Sequence, residues 1–125
     1  MTAKTLGRWL IAFFAVVVAF IGFVYLGYFA KTEVVSSASG DGRYRLTVYM
    51  IGEPDWPFGE THCRFDLSCE GKRIIKHPFS IWDDGSAARE SNFAVAWNTD
   101  NVTIIVSGSE QKDETYVLNF DGTVG

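Results

Sequence analysis

The stretch Arg43-Tyr44-Arg45-Leu46-Thr47-Val48-Tyr49-Met50-Ile51 alternates without a break. Tyr44, Leu46, Val48 and Met50 fall on one face, and Arg45, Thr47 and Tyr49 on the other. Successive side chains of a strand point to opposite faces, so this period of two predicts a β-strand half buried against a core. The turn signal Ser39-Gly40-Asp41-Gly42 precedes it, and residues 31–42 as a whole read as a linker that includes a first extended segment, Lys31 to Ser37 with Val34-Val35.

Towards the C-terminus the same grammar recurs. Gly52 to Glu60 holds two prolines and two glycines and predicts an irregular loop. His62 to Cys69 alternates again, Glu70-Gly71-Lys72 turns, and Arg73 to Lys76 returns as a strand that Pro78 should end, leaving Phe79 to Trp82 as a short apolar piece. Asp83 to Ser86 is a turn, and Ala87 to Glu90 has the composition of one helical turn. Asn92–Trp97 and Val102–Ser107 form a hairpin around Asn98 to Asn101, with Phe93, Val95 and Trp97 on one face of the first strand and Val102, Ile104 and Val106 on one face of the second. A polar loop from Gly108 to Asp113 leads to a last strand, Thr115 to Phe120, with Tyr116, Leu118 and Phe120 inward. Turn signals at this spacing predict a mainly β domain, a small antiparallel sandwich or barrel, over residues 43–125.

Before the β domain lies a different solvent regime. Trp9 to Ala30 is a run of 22 residues with no charged side chain. As a helix it spans roughly 33 Å, close to the hydrocarbon thickness of a bilayer. It carries no polar stripe, which a soluble helix of that length would show. Phe14 and Phe20 sit within it, Trp9 near one end and Tyr25 and Tyr28 near the other, matching interfacial aromatic belts. Lys4 and Arg8 precede the helix, so residues 1–8 should stay in the cytoplasm and the β domain should lie outside, in the periplasm for a Gram-negative cell. A cleavable signal peptide is the rival, but its apolar region is typically shorter, about 7–15 residues. An uncleaved single-pass anchor in the inner membrane is the expectation, with the lipid bilayer as the partner of residues 9–30.

Charge divides along the same boundary. All 15 acidic residues follow residue 30, against nine of the 11 basic ones, so the outer domain carries a net −6. That excludes nucleic acid and an anionic membrane surface as its natural partner. Cys63 and Cys69 are a candidate disulfide in an oxidising compartment. If residues 62–69 form one continuous strand, however, the two cysteines stand about 20 Å apart on one face, beyond bridging reach. Either the strand breaks between them or both are buried thiols.

Catalytic signals are sparse. His62 and His77 are the only imidazoles, and no G-x-S-x-G nucleophile elbow is present. A zinc site from His62, Cys63, Cys69 and His77 lacks paired ligand spacing, and adjacent His62 and Cys63 would point to opposite faces of a strand. No catalytic residue, metal or cofactor is therefore expected. The segment that invites a binding role is Glu53-Pro54-Asp55-Trp56-Pro57-Phe58-Gly59-Glu60. Glu53, Asp55, Trp56, Phe58 and Glu60 have the composition of a contact surface, rigid aromatics among carboxylates on a loop. The alternative is that Trp56 and Phe58 fold back to cap a small core.

Ser39-Gly40-Asp41-Gly42-Arg43-Tyr44-Arg45-Leu46-Thr47-Val48-Tyr49 resembles the S-P-D-G-x-Y-x-x-x-V-Y opening of small uncharacterised bacterial envelope proteins, with Gly40 where proline usually stands. Ala94 to Ile104, a strand ending in Trp97 followed by the Asp100-Asn101 turn, is similar to their second recurring element, and both pieces also resemble β-propeller hairpins. The resemblance implies one anchoring helix, a compact outward-facing β domain and no known catalysis. Some proteins of that build are immunity factors against secreted toxins. The expected function is thus a membrane-anchored, non-enzymatic binding protein, with an immunity protein neutralising a secreted antibacterial toxin as its specific form. The alternatives are a structural subunit of an envelope complex and a hydrolase using His62 or His77.

Overall fold

A computed structural model describes residues 2–125, save the side chains of Tyr28 and Phe29, so the belt role expected of Tyr28 lies outside the described residues. The chain divides into two units at Ala30/Lys31.

The first unit is one helix, α1, Ala3–Phe29. It starts six residues before the uncharged run because Thr2 caps it, its hydroxyl accepting the Thr5 N–H at 3.3 Å. It ends at Ala30, which is extended and whose N–H still donates to the Leu26 carbonyl at 2.7 Å. The β-branched residues that follow favour a strand. Ala3–Gly27 is long and apolar enough to cross a bilayer, a test that a secretory signal sequence also passes. Trp9, Phe14, Phe20 and Tyr25 are exposed along it.

The second unit is a sandwich-like pair of antiparallel sheets. Strands β1 (Lys31–Ala38), β2 (Tyr44–Ile51), β3 (Thr61–Cys69) and β4 (Lys72–Ile81) form one sheet in that order. Strands β5 (Phe93–Trp97), β6 (Asn101–Gly108) and β7 (Gln111–Asn119) form the other, and no closed barrel is formed among the described residues. Within each sheet every strand pairs antiparallel with the strand next to it in sequence. The β3–β4 turn is two residues, Glu70 (φ 51°) and Gly71 (φ 82°), and positive φ at both centres is what the twist of a tight hairpin demands.

The alternation read from β2 is realised: Leu46, Val48 and Met50 are buried and Arg45 is exposed. Cys63, Phe65 and Leu67 of β3 and Ile75, Phe79 and Ile81 of β4 complete that inner face, opposed by Val102, Ile104, Val106 and Leu118. Phe65 stacks on Phe79 with ring centres 4.0 Å apart, and the edge of Tyr116 from the opposite sheet approaches at 5.2 Å. Each such buried side chain contributes about 1.5–3 kcal/mol of transfer free energy.

Beyond the β1–β4 face, a seam joins the two sheets. Asp83, just past β4, accepts the Ser109 N–H at 2.9 Å and side-chain N–H groups of Asn92 and Arg89 at 3.3 Å each. The Trp82 N–H donates to Gln111 Oε1 at 2.7 Å, and the Trp82 carbonyl lies so close to Gly108 that a Cβ there would collide with it.

Three expectations are corrected. Pro78 does not end β4, which runs unbroken to Ile81 and pairs Pro78 with Arg64. As the edge strand of its sheet, β4 can carry a residue without an N–H on its open side. The extended segment read at Lys31 to Ser37 is a full edge strand, β1, paired with β2. The 108–113 loop contracts to Ser109-Glu110, because β6 and β7 pair as far as Gly108 and Gln111. The helical turn lies at Glu90–Asn92, slightly after Ala87 to Glu90, where the Asn92 carboxamide accepts the Arg89 N–H. Of the two cysteine alternatives, the continuous strand is realised: β3 holds both, the Cys63–Cys69 bridge is not formed, and both thiols are free.

Candidate functional site

The loop between β2 and β3 closes on itself. The Asp55 N–H donates to the Glu60 carbonyl at 3.1 Å, and the Gly59 N–H to the Asp55 carbonyl at 2.7 Å. Only a glycine fits at 59, since a Cβ there would overlap Asp55. At its far end the Thr61 hydroxyl donates to the Ser86 carbonyl at 2.8 Å, and Gly85 packs under Phe58 and Pro57. The loop is therefore braced by the 83–86 turn.

This closure turns the aromatics outward. Trp56 is 91% exposed and Phe58 67%. They do not cap the core, which Phe65, Phe79 and Tyr116 already fill. Glu53 and Asp55 are exposed and Glu60 is half buried. Of the five residues singled out in the sequence, Asp55 and Glu60 converge on a sixth, His62, which the sequence placed in a different candidate zinc set and in a hydrolase reading.

His62 lies on the outer face of β3, opposite Ser80 of β4. Its Nε2 is 3.0 Å from Asp55 Oδ2, its Nδ1 3.9 Å from Glu60 Oε1 and 3.5 Å from Ser80 Oγ. One ligand atom each from Asp55, Glu60 and His62 lie within 4.8 Å of one another. Sequence reasoning missed this cluster because its members are joined by loop closure, not by strand period. The spacing Asp55-x₄-Glu60-x-His62 was the signal available. The zinc set of His62, Cys63, Cys69 and His77 is not assembled: His62 is on the outer face, whereas Cys63 is buried on the inner one and His77 sits 5.8 Å from the Tyr116 ring. Burial pushes the Cys63 thiol up to about 12, which leaves it neutral and inert.

A shallow groove of about 370 Å³ runs beside His62, lined by Ile51, Arg64, Pro78 and Ser80 among others. Arg64 is held there by two bonds to Asp66, at 2.8 and 2.9 Å. A larger groove, about 850 Å³, opens beside Asp41, Tyr44, Trp97 and Phe120. Many of its polar groups are already engaged: Asp41 accepts from the Ser39 hydroxyl and the Arg43 N–H, bonds that hold its carboxyl below the usual range. The Trp97 indole N–H donates to Ser37 at 2.9 Å, and Tyr44 stacks on Phe120 with centroids 3.7 Å apart. That groove reads as the bound edge of the sandwich.

Comparison with family models, with curated proteins and with solved structures returned no match.

Proposed function

We propose that this chain is a membrane-tethered, non-enzymatic binding protein whose β domain offers the 53–60 loop to a protein partner outside the cytoplasm. The observation that carries the reading is Trp56, 91% exposed on a hydrogen-bonded, braced loop. An indole exposed to water gains by being covered, and tryptophan is among the residues most enriched at interface hot spots. Glu53, Asp55 and Glu60 around it favour a partner with basic groups, which would steer encounter and fix register. Lys4 and Arg8, in the first two turns of α1 ahead of its uncharged run, support the orientation, N-terminus in the cytoplasm and β domain periplasmic in the inner membrane. Tethering raises the domain's local concentration against anything that acts at that surface.

The most specific form is an immunity protein that plugs the cleft of a secreted antibacterial toxin, and the resemblance to small envelope proteins supports it. It is tested with the toxin that the adjacent gene would encode. Cells making the full chain survive it, and cells making Trp56→Ala/Phe58→Ala at equal levels do not. Unchanged protection by the double variant removes the loop from the reading. If the exported fragment 32–125 protects, α1 is only a tether. Loss of protection by a folded fragment favours a structural subunit assembled through the helix.

A second reading, a hydrolase, has one observation in its favour, the Ser80–His62–Asp55 alignment at 3.5 and 3.0 Å. Ser80 lies within a strand, not on a strained elbow. Full function in Ser80→Ala and His62→Ala removes that reading.

A further inference from the structure

We infer that Asp55, Glu60 and His62 form a divalent-cation site of the zinc class. The donor set is one imidazole nitrogen and two carboxylates, their ligand atoms within 4.8 Å of one another. Zinc takes such nitrogen and oxygen donors at about 2.0–2.2 Å, so its tetrahedral ligands stand about 3.4 Å apart. The His62–Asp55 edge, 3.0 Å, already lies near that length. Asp55 faces Nε2, whereas the Glu60 oxygen lies on the Nδ1 side of the ring at 3.9 Å, so a metal on Nε2 requires the Glu60 side chain to turn across and join Asp55 there.

Three features separate this from an ordinary acidic patch. First, the donor set includes an imidazole, and imidazole selects zinc-like metals over calcium, which prefers six to eight oxygens. Second, the backbone pins the donors: the Asp55–Glu60 and Gly59–Asp55 bonds close the loop, and β3 fixes His62. Third, among the described residues no lysine or arginine forms an ion pair with Asp55 or Glu60, so no fixed cation offsets the charges of the two carboxylates. A divalent cation cancels them. The side chains of His62, Asp55 and Glu60 are 45%, 54% and 31% exposed, so the remaining position opens to water and the metal exchanges freely. Bound there, it would lock Asp55 to β3 and with it the neighbouring Trp56.

The site needs no partner, and it is tested on the chain alone. Untagged full-length protein in neutral detergent is titrated with zinc chloride by calorimetry, with calcium chloride as a parallel arm. The expected result is one saturable equivalent of zinc, no comparable calcium binding, and affinity reduced at least about tenfold in His62→Ala and in Glu60→Gln. His77→Ala and Cys69→Ser should bind as the wild type does. Absence of saturable zinc binding up to millimolar metal overturns the inference, as does undiminished binding in either site variant or equal binding of calcium. Glu60→Gln keeps the side-chain shape, so the test stands even if His62→Ala folds poorly. Failure of zinc to bind would leave partner recognition by Trp56 intact, and failure of partner binding would leave the metal result intact.

Discussion

Phe65→Ala removes the side chain on which the inter-sheet core converges. Phe65 is fully buried, with Phe79 stacked at 4.0 Å and 14° and Tyr116 edge-on at 5.2 Å. Truncating a buried phenylalanine costs about 3–5 kcal/mol, from lost transfer free energy and the cavity that packing cannot close. The two ring contacts, about 0.5–1.5 kcal/mol each, put this site in the upper half of that range. A domain of about 95 residues has roughly 5–14 kcal/mol in total, so the variant loses a third of its stability or more. Phe65→Leu, which keeps most of the volume, should cost less than about 1.5 kcal/mol. The assay is urea unfolding of the full chain in detergent, followed by tryptophan fluorescence. With a slope of about 2 kcal/mol per molar, a 4 kcal/mol loss lowers the midpoint by about 2 M. A cost below about 1 kcal/mol would refute the reasoning. It would mean that Cys63, Phe65 and Leu67 do not face the core, and a one-residue slip in β3 would bring His62, Arg64 and Asp66 inward instead.

Trp56→Ala should leave the same urea midpoint within about 0.5 kcal/mol of wild type, since the ring is almost wholly in water; a larger loss would mean that it packs on the domain. Gly108→Ala drives a methyl group into the Trp82 carbonyl, a backbone atom that cannot swing aside, and should cost about 1–3 kcal/mol in the same assay. Asp83→Asn should cost about 1–3 kcal/mol at neutral pH, because three N–H donors converge on the charged carboxylate. Those bonds, led by the Ser109 N–H, hold the Asp83 carboxyl below its ordinary 3.8, so its contribution is present above that value and fades as pH falls through the lower folded one. The gap between wild type and variant should therefore shrink in acid melts below pH 4, and a constant gap would rule the ionised form out as the source. The Cys63 thiol, raised to about 12 by burial, should resist iodoacetamide at pH 8 in folded protein and react once urea unfolds it, as read by peptide mass spectrometry.

The legible part of the site was its composition. Trp56 and Phe58 among carboxylates marked the loop, yet composition alone left open whether the rings face water or core. The answer came from Gly59 and two backbone hydrogen bonds, which no periodicity encodes. His62 was visible as an imidazole on a strand. Its carboxylate neighbours come from a fold-back of the chain, and its hydroxyl neighbour from the next strand. The misjudged end of β4 has the same origin: a proline breaks a strand or not according to whether that strand lies at an edge, and strand order is a tertiary fact.

By itself the sequence determined the helix and the pattern of inward and outward side chains, because both follow from local rules: unbroken apolarity over a bilayer's thickness, and alternation between turns. Phe93, Val95, Trp97, Tyr116 and Phe120 pack against the core as that alternation requires, with Val102, Ile104, Val106 and Leu118 within it. Only the tertiary structure decided which strands share a sheet, that the cysteines stand apart on one unbroken strand, and that Asp55, Glu60 and His62 meet. Those are contacts between segments whose energies depend on closure and packing, and a linear pattern carries no record of distance through space.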